Sequence, residues 1–291
     1  MACNESVNID LHIHSDASDG TLSPSEILTM ARHLELGAIA ITDHDTVAGS
    51  KTAISVGIPD SLNFLTGIEI SAHPPPSFPC AGSFHILGYG INADDPLLNR
   101  TLDVLQEARK NRNPRVIERL TGLGIEISPD ELTDNFKGCQ IGRPHIARLM
   151  VKKGVVSSVN EAFDKYLSRG KPAYADKYRV DCREAIEVIL GAGGIPVLAH
   201  PVLLDPLNEK PLEYLISLLK SMGLKGIEVY YPEHSPEQTA RYAEIAGQYD
   251  LLMTGGTDFH GSLKPEIRMG SGRGDFSVPY ALYEKLIRAS S

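Results

Sequence analysis

The sequence predicts a β/α barrel of about seven strands, interrupted by a small all-helical insertion. Three observations lead there. Short buried runs rich in β-branched residues alternate with amphipathic runs at helical spacing over most of the chain. Residue types that bind metals recur just past the ends of the short runs, and a parallel barrel opens all those ends on one face. Between about Arg100 and Tyr174 the alternation stops and only helical spacing remains. The predicted division is 1–99 and 175–291 for the barrel and 100–174 for the insertion.

The 291 residues, 42% hydrophobic and 22% charged, suffice for one barrel-sized domain carrying an insertion. No run is apolar enough over the length needed to span a membrane, and the first residues lack the basic-then-apolar pattern of a signal peptide. The four cysteines, Cys3, Cys80, Cys139 and Cys182, form no Cys-x-x-Cys pair. That points to a reducing cytoplasm, with neither a disulfide framework nor a thiolate zinc site. A net charge of −9 argues against a protein that coats nucleic acid. Yet residues 100 to 176 carry 14 Lys+Arg against 10 Asp+Glu, a basic segment on an acidic body. Such a segment is either a solvated helical surface or an anion-collecting module beside a metal site.

Residues 7–11 read as the first buried strand, with His12 and His14 at its end. Positions i and i+2 of a strand point the same way, so both imidazoles can reach one ion. Asp19 follows on the turn Ser18-Asp19-Gly20. Ser23-Pro24-Ser25-Glu26 opens a helix as a capping box with proline at the first helical position. Ile27, Leu28, Ala31 and Leu34 form its apolar stripe, and Gly37 ends it. Residues 38–42 are the second strand and lead into Asp43-His44-Asp45. A helix over 49–56 precedes a third strand, 63–68, which ends at Glu69. The proline-rich stretch 72–83 reads as irregular loop. Residues 84–90 are the fourth strand, with His85 near its start. That placement suits a shared face only if this strand runs the other way or begins later.

In the insertion, three sets of apolar residues fall at helical spacing: Leu102, Leu105, Val116, Ile117 and Leu120; Ile146, Leu149 and Met150; and Ala162, Phe163 and Leu167. Strand and helix then resume. A helix over 182–190 precedes a strand over 195–199 that ends at His200-Pro201. A helix over 211–222 precedes a strand over 226–230. A helix over 236–248, capped by Ser235, precedes a strand over 251–254 that leads to Thr257-Asp258-Phe259-His260. The last helix spans 279–289.

His12, His14, His44, Glu69, His200, Asp258 and His260 thus follow strand ends, and His85 brings the set to six of the ten histidines. This convergence points to a multinuclear metal site. Asp43 reads either as a hydrogen-bonding partner of a ligand imidazole or as a strand-end cap, and Asp10, Asp16 and Glu228 have the same two readings. His33, on the first helix, and His73, in the proline loop, read as surface residues.

His12-Ile-His14, Thr42-Asp43-His44-Asp45, Glu69, His85, Ala199-His200-Pro201 and Asp258-Phe-His260 resemble, in order, the motifs of the PHP family, named for polymerase and histidinol phosphatase. The resemblance covers the chain outside the insertion. It implies a distorted seven-stranded β/α barrel and a three-metal phosphoesterase site. By motif, the first metal would be held by His12, His14, Glu69 and Asp258. Glu69 would bridge to a second held by His85 and His200, and a third would take Asp19, His44 and His260. Mn²⁺, Zn²⁺ and Fe²⁺ all suit such mixed ligands, so two or three divalent ions are expected, manganese foremost. Close cations lower the pKa of a bridging water and offset charge on phosphoryl oxygens. The expected reaction is in-line attack of hydroxide on phosphorus, without a protein nucleophile.

A narrower resemblance lies in the insertion. Ile141-Gly-Arg-Pro-His-Ile-Ala-Arg148, the stretch 162–174 and Pro232-Glu-His-Ser-Pro236 are similar to one bacterial PHP subfamily. Its members include 3′,5′-nucleotide bisphosphate phosphatases, related to enzymes that trim RNA from its 5′ end. The resemblance implies that Arg143, Lys171 and His234 face substrate phosphates. The other readings are surface charge near a helix end for Arg143 and Lys171, and a helix cap for His234. Tyr174 and Tyr230 either stack on a base or serve packing. The function expected first is removal of the 3′-phosphate of a nucleoside 3′,5′-bisphosphate. A 5′→3′ exoribonuclease on short 5′-phosphorylated RNA ranks second and a histidinol-phosphate phosphatase third. The full ligand set argues against a non-catalytic regulatory module, and the basic insertion against metal storage. The expected partner is a nucleotide or short RNA, with no membrane and no obligate protein partner.

Overall fold

A computed structural model of the chain describes residues 7–136 and 140–290. Cys3 and Cys139 lie outside the described residues; Cys80 and Cys182 are buried and free. Strands β1 (Ile9–Ile13), β2 (Ala38–Ile41) and β3 (Asn63–His73) run parallel to one another. β4 (His85–Tyr89) runs antiparallel to β3, and β5 (Val180–Asp181) is a two-residue strand beside the end of β3. β6 (Ile195–Leu198) is antiparallel to β4, while β7 (Gly226–Tyr230) and β8 (Leu252–Gly255) continue parallel to β6. The sheet order is β1-β2-β3-β4-β6-β7-β8. The ends of β1 and β8 meet where the His14 N–H donates to Phe259 O at 2.9 Å. The result is a nearly closed seven-strand barrel, as expected.

Two strands differ from the sequence reading. The reversal of β4 settles the position of His85: the start of an antiparallel strand lies at the same end as the C-terminal ends of its neighbours. β3 runs on to His73, so Glu69 lies inside it and pairs with Leu87. The sequence reading ends this strand at Glu69. In fact Ile68 and Ile70 enter the core on either side, and alternation turns Glu69 to the other face.

Around the barrel lie α1 (Pro24–His33) and α2 (Ala48–Val56). In α1 the Ser23–Glu26 capping box forms as read. The insertion follows β4: α3 (Pro96–Gly122), α4 (Pro129–Asn135), α5 (Arg143–Lys152), α6 (Val159–Ala162) and one π-helical turn, Phe163–Leu167. The barrel resumes with α7 (Cys182–Gly191), α8 (Leu212–Ser221), α9 (Pro236–Gln248) and α10 (Tyr280–Ser290). No helix among the described residues is long and apolar enough to cross a membrane.

The packing boundary of the insertion lies within α3. Leu98, Leu102 and Leu105 join the barrel's cluster with Ile186 and Ile189 of α7. From Val116 onward the helix packs in a separate cluster with Ile146, Leu149, Met150 and Leu167. Asp45 ties the two bodies together. It sits at φ 55° and accepts the Ser71 N–H at 2.7 Å. Its Oδ2 receives Arg109 Nη2 and Lys177 Nζ, each at 2.8 Å, from the two sides of the insertion. Burial alone would raise the Asp45 carboxyl, but Lys177 and Arg109 pull it well below the usual carboxylate range.

Asp45→Ala would leave both cations buried without a carboxylate. We expect a loss of about 3–5 kcal/mol in urea unfolding at neutral pH. A loss under about 1 kcal/mol would mean the pairs behave as surface ion pairs. Because the folded carboxyl titrates below its unfolded value, this stabilisation is present above about pH 4 and fades as pH falls.

Candidate metal centre

All nine side chains read as ligand types meet at the open end of the barrel. β1 carries His12, and His14 stands just past it. The next turn brings Asp19, the segment after β2 brings His44, and β3 brings Glu69. His85 opens β4, His200 follows β6, and Asp258 and His260 follow β8. Glu69 lies at the centre. Its Oε1 is 2.8 Å from His85 Nδ1 and 2.9 Å from His200 Nε2. Its Oε2 is 2.8 Å from His44 Nδ1 and 3.3 Å from His14 Nε2. Asp258 Oδ1 lies 3.1 Å from His14 Nε2 and 3.5 Å from His12 Nε2. Asp19 Oδ1 lies 3.4 Å from His260 Nε2, and its Oδ2 3.8 Å from His44 Nε2.

Three groups have ligand atoms close enough to share an ion: His12, His14, Glu69 and Asp258; His14, Asp19, His44 and His260; and His44, Glu69 and His85. The first is the set expected. The second adds His14, and the third brings His44 to Glu69, with His200 Nε2 lying 3.2 Å from His85 Nδ1. His12 Nε2, His14 Nε2, Asp19 Oδ1 and Glu69 Oε2 are buried without hydrogen-bond partners. Buried orphans of this kind cost about 1–3 kcal/mol each, and a divalent cation between them satisfies several at once. The donor set therefore fits such ions.

The charges agree. Burial opposes ionisation of Glu69, yet His85, His44 and His12 hold it well below the usual range. Asp19 is likewise held down against burial, by His44 and His260. Burial pushes the His14 imidazole down, but Asp258 and Glu69 outweigh it and raise it to about 9. His85 is pushed down to about 4 by burial, in spite of Glu69. The carboxylates thus stay charged, and a metal would take the place of protons shared among them.

The surrounding residues fix these candidate ligands. Glu228 Oε1 lies 2.8 Å from His12 Nδ1 and its Oε2 accepts the His200 N–H at 2.7 Å. That turns His12 Nε2 toward the cluster. Asp43 does not touch a ligand imidazole by hydrogen bond. It accepts the Ser15 N–H at 2.7 Å and the Ser18 hydroxyl at 2.6 Å, bracing the turn that carries Asp19. Asp10 accepts the N–H groups of Thr257 and Gly270 at 2.9 and 2.8 Å and so braces the segment that carries Asp258. A side chain on Gly256 would place its Cβ 2.3 Å from the His12 nitrogen, so only glycine lets these two segments close. His200 and Asp258 adopt φ of 24° and 53°, sparsely populated for non-glycine residues and common at functional sites.

A cleft of about 1030 Å³ opens from the cluster, between the barrel, the proline loop and the insertion. Arg143, at the start of α5, lines it. Its Nη1 donates to Leu167 O at 2.9 Å, and its guanidinium lies 5.6 Å from the Phe163 ring and 5.3 Å from the Tyr174 ring. Lys171 does not line the cleft, contrary to expectation. It is exposed on the turn after the π-helical segment, where its N–H bonds back to Ser168 O. His234 is also absent from the lining. Its Nδ1 donates to Val229 O at 2.8 Å and its ring packs on Tyr242. The cap of α9 is Ser235 instead. Tyr174 lines the cleft, whereas Tyr230 packs against the core.

Cations that the sequence reading missed line the cleft instead: Arg109, Arg112, Arg169, Lys177, Arg179 and Lys264. Arg112 is 4% exposed and donates only to Asn113 Oδ1, with no carboxylate partner among the described residues. Burial, Arg109, Arg143 and Arg179 all push its pKa well below the usual value. Lys177 is lowered to about 7, chiefly by burial and by Arg109. The signal was present in the sequence. Leu98, Leu102, Leu105, Arg109, Arg112, Val116 and Leu120 form one helical stripe, and two arginines occupy core positions in it.

The PHP domain family model matches residues 10–263. The chain is 33% identical over 261 residues to a 3′,5′-nucleoside bisphosphate phosphatase of Chromobacterium violaceum, covering 87% of each protein. It is 34% identical over 265 residues to the 5′-3′ exoribonuclease Rnm of Escherichia coli, covering 88% of this chain and 86% of the relative. A Bifidobacterium adolescentis protein solved as a candidate metal-dependent phosphoesterase superposes with a TM-score of 0.85 at 30% identity, covering 97% of this chain and 96% of that one. With a ligand set that fits divalent ions at the mouth of the barrel, the chain belongs to the PHP domain family and is a metal-dependent hydrolase of phosphoester bonds.

Proposed function

We propose that this enzyme removes the 3′-phosphate of nucleoside 3′,5′-bisphosphates. The observation that carries the reading is the meeting, in one cleft, of a metal-ligand cluster and two guanidinium groups, Arg112 and Arg143, with no carboxylate partner among the described residues. A substrate with two separated phosphates matches both. His12, His14, Glu69 and Asp258 would hold one cation, Glu69, His85 and His200 a second, and Asp19, His44 and His260 a third, with manganese the first choice. Bound ions supply a Lewis acid for the phosphoryl oxygens and activate water near neutral pH. The protein's own residues do the rest. Glu69 keeps a charged carboxylate between two donor groups. Glu228 holds the tautomer and aim of His12. Arg112 and Arg143 offer planar forks to the phosphate that is not cut. Tyr174 lies beside Arg143 and gives a base a face to stack on. In this reading residues 100–174 serve as the substrate-phosphate module.

A second reading is a 5′→3′ exoribonuclease on short 5′-phosphorylated RNA. The 34% identity to the E. coli exoribonuclease favours it, and the same cleft would serve. In both, the bond from phosphorus to a nucleoside 3′-oxygen breaks; the two differ in whether the departing phosphoryl group is free inorganic phosphate or carries the rest of an RNA chain.

Protein purified without chelator should carry two or three transition-metal ions per chain by elemental analysis. Fewer than two after reconstitution with Mn²⁺ or Zn²⁺ would rule out the multinuclear assignment. Glu69→Gln should lower kcat by at least about a thousandfold, several kcal/mol of transition-state stabilisation. Retention of a tenth of the wild-type rate would contradict a shared ligand.

Arg112→Met and Arg143→Ala should each lower kcat/KM for a 3′,5′-bisphosphate by roughly tenfold to a hundredfold. Hydrolysis of p-nitrophenyl phosphate should change little, and Lys171→Ala should affect neither substrate. Equal losses on both substrates would mean these arginines serve the reacting phosphate or the fold. A response confined to 5′-phosphorylated oligonucleotides would place the exoribonuclease first.

A further inference from the structure

The two oxygens of Asp258 keep different company. Oδ1 faces the imidazoles, 3.1 Å from His14 Nε2 and 3.5 Å from His12 Nε2. Oδ2 accepts the Tyr231 hydroxyl at 3.1 Å and Lys264 Nζ at 2.7 Å. The donors come from separate elements. Tyr231 follows β7 and is buried; Lys264 follows the short helical turn Gly261–Leu263 and lines the cleft. The backbone adds to the constraint. Asp258 is held at φ 53°, and its carbonyl accepts from His260 Nδ1 at 2.7 Å. The side chain is therefore fixed from three sides.

An ammonium beside a ligand carboxylate weakens the binding of a second cation there, because like charges repel. Lys264 thus gives no help in retaining a metal, and its place at Asp258 calls for another reason. A free carboxylate can give a cation one oxygen or both. We propose that Tyr231 and Lys264 are positioning residues that reserve Oδ2 of Asp258, so that this side chain gives the metal centre one oxygen and leaves room for a substrate oxygen beside it. The inference rests on Asp258 being a ligand; it is independent of which nucleotide is cut.

The test uses chelator-stripped full-length protein titrated with Mn²⁺, free Mn²⁺ being read by electron paramagnetic resonance. Tyr231→Phe and Lys264→Met should bind Mn²⁺ as tightly as wild type or more tightly. Their kcat on p-nitrophenyl phosphate should fall roughly tenfold to a hundredfold, with KM little changed. In infrared difference spectra on Mn²⁺ addition, the gap between the two carboxylate stretching bands should narrow as Asp258 engages both oxygens. Lys264→Arg should keep most of the wild-type kcat. Looser Mn²⁺ binding in step with falling kcat would show mere scaffolding and overturn the proposal, as would an unchanged kcat. Tyr231→Phe removes one oxygen from a side chain that otherwise keeps its packing, so it decides the matter even if Lys264→Met folds poorly. Asp258→Asn is the control. If it binds Mn²⁺ like wild type, the ligand assignment itself is wrong and the reservation falls with it.

Discussion

The mouth of the barrel is organised by the burial of three carboxylates among imidazoles. Glu69, Asp19 and Asp258 are almost fully withdrawn from water, and among the described residues only Asp258 of the three has a lysine on it, with no arginine paired to any. Charges so placed are unfavourable unless something positive lies among them. Protonated imidazoles meet part of that need in the protein alone, and divalent ions meet it better. Much of the surrounding structure serves to hold this arrangement. Asp10, Asp43 and Glu228 spend their oxygens on the backbone and side chains that carry ligands. His200 and Asp258 accept left-handed backbone angles, and Gly256 lets two ligand-bearing segments touch. Most of the buried charged side chains of the barrel gather at this one end.

What the sequence revealed follows from how local each signal is. The capping box at Ser23 and Glu26 and the limits of β7 and α9 depend on a few neighbouring residues, and they formed as read. The nine ligand types were legible because strand ends in a barrel share a face, whatever the order of strands. The direction of β4 was not legible. It depends on pairing with β3 and β6, residues far away in sequence, and only the odd position of His85 hinted at it. Glu69 ended a strand on paper and sits inside one in space, because a buried site can hold a charged residue where pattern reading places a loop. The substrate side fared worst. Of the three residues that the motif resemblance turns toward substrate, Arg143 lines the cleft and Lys171 and His234 do not. Arg109 and Arg112 stood unread on the apolar stripe of α3.

The Asp45 carboxylate gives the two halves of the cleft a common anchor. It follows His44 in the chain and its Oδ2 binds Arg109 and Lys177. A shift of the insertion would pull on the residue next to a ligand imidazole. Arg112, three residues beyond Arg109 on the same helix, would move with it. The imidazole cluster and the arginines of the cleft are thus held in register by this buried group together with the packing of the first turns of α3 on the barrel.

The reversed fourth strand has a geometric outcome of its own. A parallel β4 would have delivered the chain to the mouth, and a helix leaving from there would have travelled toward the closed end. Running the other way, β4 ends at the far end of the barrel, close to where α7 hands over to β6: the Asn92 N–H bonds to Ala192 O there. The next helix must climb back. The 27 residues of α3 span about 40 Å, more than twice the rise of the five-residue β4. Its first turns are spent alongside the barrel wall, its middle brings Arg109 and Arg112 level with the mouth, and its last turns project beyond it. The single antiparallel strand therefore sets both the height at which the arginines stand and the overhang from which the rest of the insertion covers the site.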